Sequence, residues 1–372
     1  MNPLVQLRNA GQSPWYDYIS RELITSGTLK GMIDQDGLMG VTSNPSIFEK
    51  AIGGGTDYNA AMNEVPSEVT NVKDIYETLA VRDIQDAADL MLPVYQESEA
   101  RDGYVSFEVS PDLAFNTKGT IEEAIRLHKA VNRPNVLIKV PGTQEGLPAI
   151  ETLLGQGINI NVTLLFSVEV YEQVAWAYIR GLQKFAAQQG NLKQVASVAS
   201  FFVSRIDSLV DQQLEARMKQ ESSADMQKTY ESLMGKVAIA NAKVAYLKFQ
   251  DIFTSSQFLP LKQQGAQVQR LLWASTGTKN PSYPDTYYVD GLIGSDTVNT
   301  IPAATFTAFR DHGTVKPTLC EDIEGAKGVM ERLANCGIKM QEVTDTLLKD
   351  GARLFSESFD QLMEVIRHKR EG

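Results

Sequence analysis

A lysine interrupts the apolar run NVLIKVPG at 135–142. Burying an ammonium is costly unless the group is paired or gives up its proton, so Lys139 needs a reason to be there. A desolvated lysine holds its proton less tightly, and the neutral amine can attack a ketone or aldehyde to form a Schiff base. The protonated imine then serves as an electron sink for breaking or making an adjacent C–C bond. Such chemistry also needs an acid/base at the substrate hydroxyl, and Asp17 in PWYDYIS and Glu108 in SFEVS are suitable carboxylates. Purely structural alternatives exist: Lys139 could pair with a carboxylate or reach the strand end along its apolar stem, and Asp17 could cap a helix.

The pattern around these residues favours chemistry. Side chains alternate across a strand, so parity assigns each residue to a face. Val136, Ile138 and Val140 share one face, with Leu137, Lys139 and Pro141 opposite. Val105, Phe107 and Val109 oppose Ser106, Glu108 and Ser110, and Ile158, Ile160, Val162 and Leu164 oppose Asn159, Asn161 and Thr163. A parallel strand buried on both faces ordinarily reads as nearly continuous apolar residues, and these do not. If the apolar parity meets surrounding helices, the polar parity gathers Lys139, Glu108, Asn161 and Thr163 about one interior axis. The turn-like endings SNPS, EVSPD, KVPGT and LLFS put these groups near the C-terminal strand ends, where barrel active sites lie.

The elements required to position them recur along the whole chain. Strand candidates fall near 14–19, 38–44, 104–110, 135–140, 160–167, 195–203, 269–276 and 286–293, separated by amphipathic helical stretches. Repeated βα units imply a parallel sheet, and eight strands close a (β/α)8 TIM barrel. A helical pair near 205–250 exceeds what a barrel needs and is taken as an elaboration; the helical pattern over 342–369 is expected to pack on the barrel. No linker divides residues 1–372, which read as one domain, longer than the typical barrel of about 250 residues.

Composition narrows the remaining classes. The 372 residues are 43% hydrophobic and 22% charged, as expected of a globular chain, and the net charge of −11 disfavours nucleic acid or an anionic membrane as a partner. Cys320 and Cys336 lack metal-ligand spacing and support no disulfide framework. The N-terminus shows no secretory pattern and no apolar run is long enough for a membrane span, so a cytoplasmic location is expected. GGGTDY at 53–58 lacks the spacing of a phosphate loop, and the Asn161-Val162-Thr163 tripeptide, inside an apolar strand, is discounted as a glycosylation acceptor.

The segments SPWYDYISRELI, GVTSNPSIFEKAI, FEVSP, VLIKVPGTQEG, INVTLLFS, SFFVSRID and LWASTGTKNP occur in this order. On them the chain resembles the transaldolase family along essentially its whole length. The resemblance implies a transferase of the pentose phosphate pathway. Such an enzyme moves a dihydroxyacetone unit from sedoheptulose 7-phosphate or fructose 6-phosphate to glyceraldehyde 3-phosphate or erythrose 4-phosphate, with no metal or organic cofactor. It implies Lys139 as the Schiff-base nucleophile and Asp17 as the acid/base. Glu108 and Thr163 would hold the water that moves protons during imine formation, and Asn44 and Asn161 would bind sugar hydroxyls. Ser200 and Phe202 would line the dihydroxyacetone end, with Arg205 on the phosphate. Many relatives carry an arginine shortly after the serine matching Ser275; here ASTGTKNP offers Lys279, a point charge without the bidentate fork. Pro141 and Gly142 stand where some relatives have small polar residues.

Three other readings stay open at this level. A Schiff-base aldolase would release its fragment to water. A metal-dependent lyase is disfavoured by having only His128, His312 and His368 to draw on, without ligand spacing. A non-catalytic sugar-phosphate-binding barrel would need Lys139, Asp17 or Glu108 missing or displaced. Monomer and homodimer are equally compatible with the sequence.

Overall fold

The computed structural model describes residues 2–371. Eight parallel strands close into a barrel in sequence order: β1 (Gln12–Tyr16), β2 (Gly40–Thr42), β3 (Tyr104–Glu108), β4 (Val136–Pro141), β5 (Ile160–Leu165), β6 (Ser197–Phe202), β7 (Arg270–Ala274) and β8 (Thr297–Ile301). The fold is a (β/α)8 barrel. Its apolar parity is buried outward as the alternation requires: Val105, Phe107, Val136, Ile138, Val140, Ile160 and Val162 are essentially inaccessible. The opposite parity fills the interior, and the register sets Glu108 beside Lys139 and Lys139 beside Asn161.

The N-terminal end of the barrel is plugged. Asp102 accepts from Trp15 Nε1 at 3.1 Å and pairs with Arg270 at 2.9 Å, while Arg270 also donates to Ser13 Oγ at 2.8 Å. A carboxylate and guanidinium this deeply buried are tolerable because their hydrogen-bonding positions are used. Trp15 also explains Gly40 on the neighbouring strand, since a Cβ there would lie 2.5 Å from the indole ring. The floor is therefore solid, and access is from the C-terminal strand ends.

Three boundaries differ from the sequence reading. The segment 286–293 is not the eighth strand: Tyr287–Asp290 forms a single helical turn, and β8 follows at Thr297–Ile301. Aromatic and β-branched residues favour a strand locally, but tertiary bonding wins here, because the hydroxyls of Tyr287 and Tyr288 reach Gly235 O and Asp207. β1 ends at Tyr16, one residue before Asp17, which therefore lies on the rim rather than inside the strand. The elaboration near 205–250 comprises three helices, Ser204–Met218, Ala224–Leu233 and Val237–Phe253, rather than a pair.

The C-terminal helix Met340–Glu371 buries Val343, Leu347, Phe355, Leu362 and Ile366 at helical spacing. It packs against the helix Pro45–Gly53 and crosses the end of β5, where a Cβ on Gly351 would approach Leu164 to 2.9 Å. Ser358 ties it to Ser46 through a 2.7 Å hydroxyl contact. Among the described residues no helix is long and apolar enough to cross a membrane.

Candidate active site

The interior polar groups rise through β3–β6 to a cleft of about 310 Å³ at the C-terminal end of the barrel. Lys139, only 5% exposed, lies at its base. Its Nζ donates to Ser43 O and to Glu108 Oε2, both at 3.0 Å, so two of three ammonium positions are held by the barrel. Phe355, from the C-terminal helix, brings its ring centroid to 6.0 Å from the same nitrogen. The amine is thus held on its polar side by strands and roofed by an aromatic ring from a distant part of the chain.

Glu108 is 8% exposed, and burial pushes its carboxyl above the usual range while the neighbouring Lys139 pulls it back. Across the cleft, burial likewise raises Asp17, opposed by the Thr42 hydrogen bond and by the Lys139 and Lys279 charges. Thr42 Oγ1 donates to Asp17 Oδ1 at 2.7 Å, and Thr300 Oγ1, 2.6 Å from Thr42 Oγ1, completes a hydroxyl chain that orients the carboxylate. Two carboxylates with raised proton affinity therefore line the site of one amine, an arrangement suited to passing protons.

Thr163 supplies a different kind of signal. Its side chain is 0% exposed and lines the cleft, and its Oγ1 has no hydrogen-bond partner among the described residues. A buried hydroxyl left unpaired costs about 1–3 kcal/mol, so it implies a partner supplied from the cleft. The strand turns sharply just past it: Leu164 adopts φ 60°, and the β5–β6 register shifts between Val162 and Leu165. Such bulges re-aim side chains at barrel rims.

Asn161 sits one layer below the cleft wall. Its Nδ2 donates to Ser106 Oγ at 3.0 Å and its Oδ1 accepts from Ser200 Oγ at 2.7 Å, which orients Ser200 beneath the cleft. Asn44 caps the helix Pro45–Gly53 by accepting from Ile47 N at 3.0 Å, leaving its amide group at the cleft wall. Phe202 packs on Phe166 with centroids 5.2 Å apart and closes the apolar side.

Three cations line the mouth: Arg205, Lys279 and Lys50. None has a carboxylate within ion-pairing distance among the described residues. Burial lowers Arg205 against the pull of the Asp350 charge, and Lys279 is lowered by burial and by repulsion from Arg205 and Lys50 against the pull of Asp17. Ser275, at φ 56°, turns the chain out of β7 and shares a 2.9 Å hydroxyl contact with Ser204, next to Arg205. Three cations without a close ion pair, clustered in a chain of net charge −11, make a local anion site.

The sequence also matches known proteins along nearly its whole length. The sequence profile described as Transaldolase/Fructose-6-phosphate aldolase matches residues 14–366. The chain belongs to the transaldolase/fructose-6-phosphate aldolase family. A relative from Trichodesmium erythraeum strain IMS101, named Transaldolase, is 47% identical over 370 residues, covering 99% of this chain and 97% of its own. One from Thiobacillus denitrificans is 44% identical over 366 residues, covering 98% and 100%, and one from Neisseria gonorrhoeae is 44% identical over 363 residues, covering 98% and 99%. Both are also named Transaldolase. With its family and near full-length relatives in agreement, the chain is an enzyme and a transferase.

Of the residues singled out from sequence, Lys139, Asp17, Thr163, Asn44, Ser200, Phe202, Arg205, Ser275 and Lys279 line the cleft. Glu108 reaches it through Lys139, and Asn161 through Ser200. Sequence reasoning passed over Lys50, Phe355, Thr42 and Thr300. Lys50 falls within the quoted GVTSNPSIFEKAI segment, so the helical offset from Asn44 was the available clue. Phe355 carried none, since only tertiary packing brings it to Lys139.

Proposed function

We propose that the transaldolase activity of this chain runs through a Schiff base on Lys139, with a ketose phosphate as donor and an aldose phosphate as acceptor. Sedoheptulose 7-phosphate or fructose 6-phosphate would give up a dihydroxyacetone unit, and glyceraldehyde 3-phosphate or erythrose 4-phosphate would receive it. The observation that carries this reading is an interior amine beside a carboxylate of raised proton affinity, with an unpartnered hydroxyl opening on the same cleft.

The neutral Lys139 amine adds to the ketone carbon, and the resulting carbinolamine loses water to form the protonated imine. Glu108, with a water held between it and Thr163, takes and returns the protons of that step. Asp17 removes the proton from the hydroxyl on the far carbon of the scissile bond. The C–C electron pair then flows into the imine, releasing the aldose phosphate and leaving an enamine on Lys139. Addition of the enamine to the acceptor aldehyde returns the proton through Asp17, and hydrolysis of the imine frees the product. Asn44, with Ser200 oriented by Asn161, would hold the sugar hydroxyls, and Phe202 and Phe355 would restrict water at the retained fragment. Arg205, Lys279, Ser275 and Lys50 form the phosphate end, so that phosphate binding positions the distant carbonyl over the amine. No organic or metal cofactor enters any of these steps.

The test is borohydride reduction in the presence of fructose 6-phosphate, followed by peptide mass analysis. We expect a stable adduct on Lys139 and none in Lys139→Ala; an adduct elsewhere, or turnover retained by that variant, would overturn the reading.

A further inference from the structure

The helices between Ser204 and Phe253 exceed what a barrel requires, and their bonding connects them to the phosphate end. Asp207 and Asp211 lie one turn apart on the helix Ser204–Met218, which also carries Arg205. Each carboxylate is spent in the same way. Asp207 accepts Ala238 N on Oδ1 at 2.7 Å and Tyr288 Oη on Oδ2 at 3.0 Å. Asp211 accepts Gly235 N on Oδ1 at 2.9 Å and Tyr283 Oη on Oδ2 at 2.8 Å. Each therefore joins the start of the helix Val237–Phe253, or the turn before it, to the segment between β7 and β8. Tyr287 adds a third link by donating to Gly235 O at 2.8 Å, and its ring lies 5.6 Å from Tyr283 and 5.1 Å from Tyr288.

The anchored segment carries Lys279. Upstream it leaves β7 through Ser275, bonded to Ser204, and Thr276, whose Oγ1 donates to Asn299 Oδ1 at 2.9 Å. Thr278 Oγ1 closes the loop on Pro284 O at 2.8 Å, and Tyr283 N returns to Asn280 O at 3.1 Å. Lys279 sits at the tip between these ties, and its ammonium makes no hydrogen bond or ion pair among the described residues, the Asp17 charge acting on it only at longer range. A lysine is a flexible point charge, so its usefulness at a fixed phosphate depends on how firmly its backbone is held. The same bonds occupy Asp207 and Asp211, so neither of these carboxylates on the Arg205 helix forms an ion pair with that guanidinium.

We propose that the pairs Tyr283–Asp211 and Tyr288–Asp207 are positioning elements that dock the Lys279 loop on the Arg205 helix, setting the cation pair for a sugar phosphate. This rests on the proposed reading of Arg205 and Lys279 as the phosphate end. The device acts on phosphorylated substrates and leaves the amine chemistry alone.

The experiment is a double-mutant cycle with Tyr283→Phe and Lys279→Ala, comparing fructose 6-phosphate with unphosphorylated fructose as donor. Tyr283 is partly exposed, so removing its hydroxyl leaves the ring packing in place. We expect Tyr283→Phe to raise KM for the phosphorylated donor about three- to tenfold, with kcat/KM for fructose unchanged, and to have no further effect once Lys279 is alanine. Tyr288→Phe should show the same selectivity. Equal losses on both donors, or losses that add fully to that of Lys279→Ala, would mean the tyrosines serve only the fold and would overturn the proposal. If Lys279→Ala alone fails to discriminate the two donors, the phosphate-end reading falls first and the positioning role falls with it.

Discussion

Thr163 allows stability and activity to be separated by one substitution. Its hydroxyl is buried at the cleft wall with no partner among the described residues, while its methyl group and backbone belong to β5. Valine keeps the β-branched shape that suits a strand and removes only the polar atom. An unsatisfied buried hydroxyl costs about 1–3 kcal/mol, and water from the cleft recovers part of that. We expect Thr163→Val to be neutral or to stabilise by about 1 kcal/mol, which for a chain of this length is a rise in Tm of about 1–2 °C. Activity should move the other way. If the hydroxyl and Glu108 hold the water that carries protons during imine formation, kcat should fall about 100-fold, the lower end of what a proton-transfer group contributes. Scanning fluorimetry reads the first quantity; coupled turnover and the rate of borohydride-trappable imine read the second. Turnover within twofold of the parent would sink the water assignment, and a fall of several degrees in Tm would show that the hydroxyl was structurally bonded after all.

Two further outcomes follow from the charges. Lys50→Gln should raise KM for phosphorylated donors about three- to tenfold, an effect that shrinks at high ionic strength because the site is open to solvent; an unchanged KM at low salt would remove Lys50 from the phosphate end. Asp207 supplies a pH dependence. Burial lifts its carboxyl from 3.8 to about 7, against hydrogen bonds from Ala238 N and Tyr288 and with the neighbouring Asp211 adding to the rise. The folded chain therefore holds this proton more tightly than the unfolded one. The resulting stabilisation is fully present below pH 3.8 and is lost, by roughly 4 kcal/mol in all, as pH rises to about 7. Asp207→Asn cannot titrate, so its urea-unfolding free energy relative to the parent should climb across that window. Parallel curves for the two proteins would refute the shift.

Much of the fold and the chemistry was legible in the chain itself, because both rest on local periodicity. Strand parity put Lys139, Glu108, Asn161 and Thr163 on the interior side, and the turn residues after each strand marked the end that opens. The misread eighth strand shows where locality fails. Tyr287, Tyr288 and Val289 have strand-like side chains, yet the two tyrosines are held by acceptors in a turn and on a helix, 52 and 81 residues upstream. Lys50 and Phe355 were missed for a related reason: a surface helical lysine and an apolar position on an amphipathic helix look ordinary until the fold brings them to the cleft.

By itself, the sequence determined the ring of βα units and an amine with a carboxylate, Glu108, on its inner face, since period-two alternation along a strand needs no knowledge of distant neighbours. Only the tertiary structure decided which groups meet that amine: Ser43 O and Glu108 beneath it, Phe355 above it, and three cations without a close ion pair at the mouth. Those contacts join segments far apart in the chain, and their energies depend on burial and mutual distance, quantities that exist only once the barrel has closed.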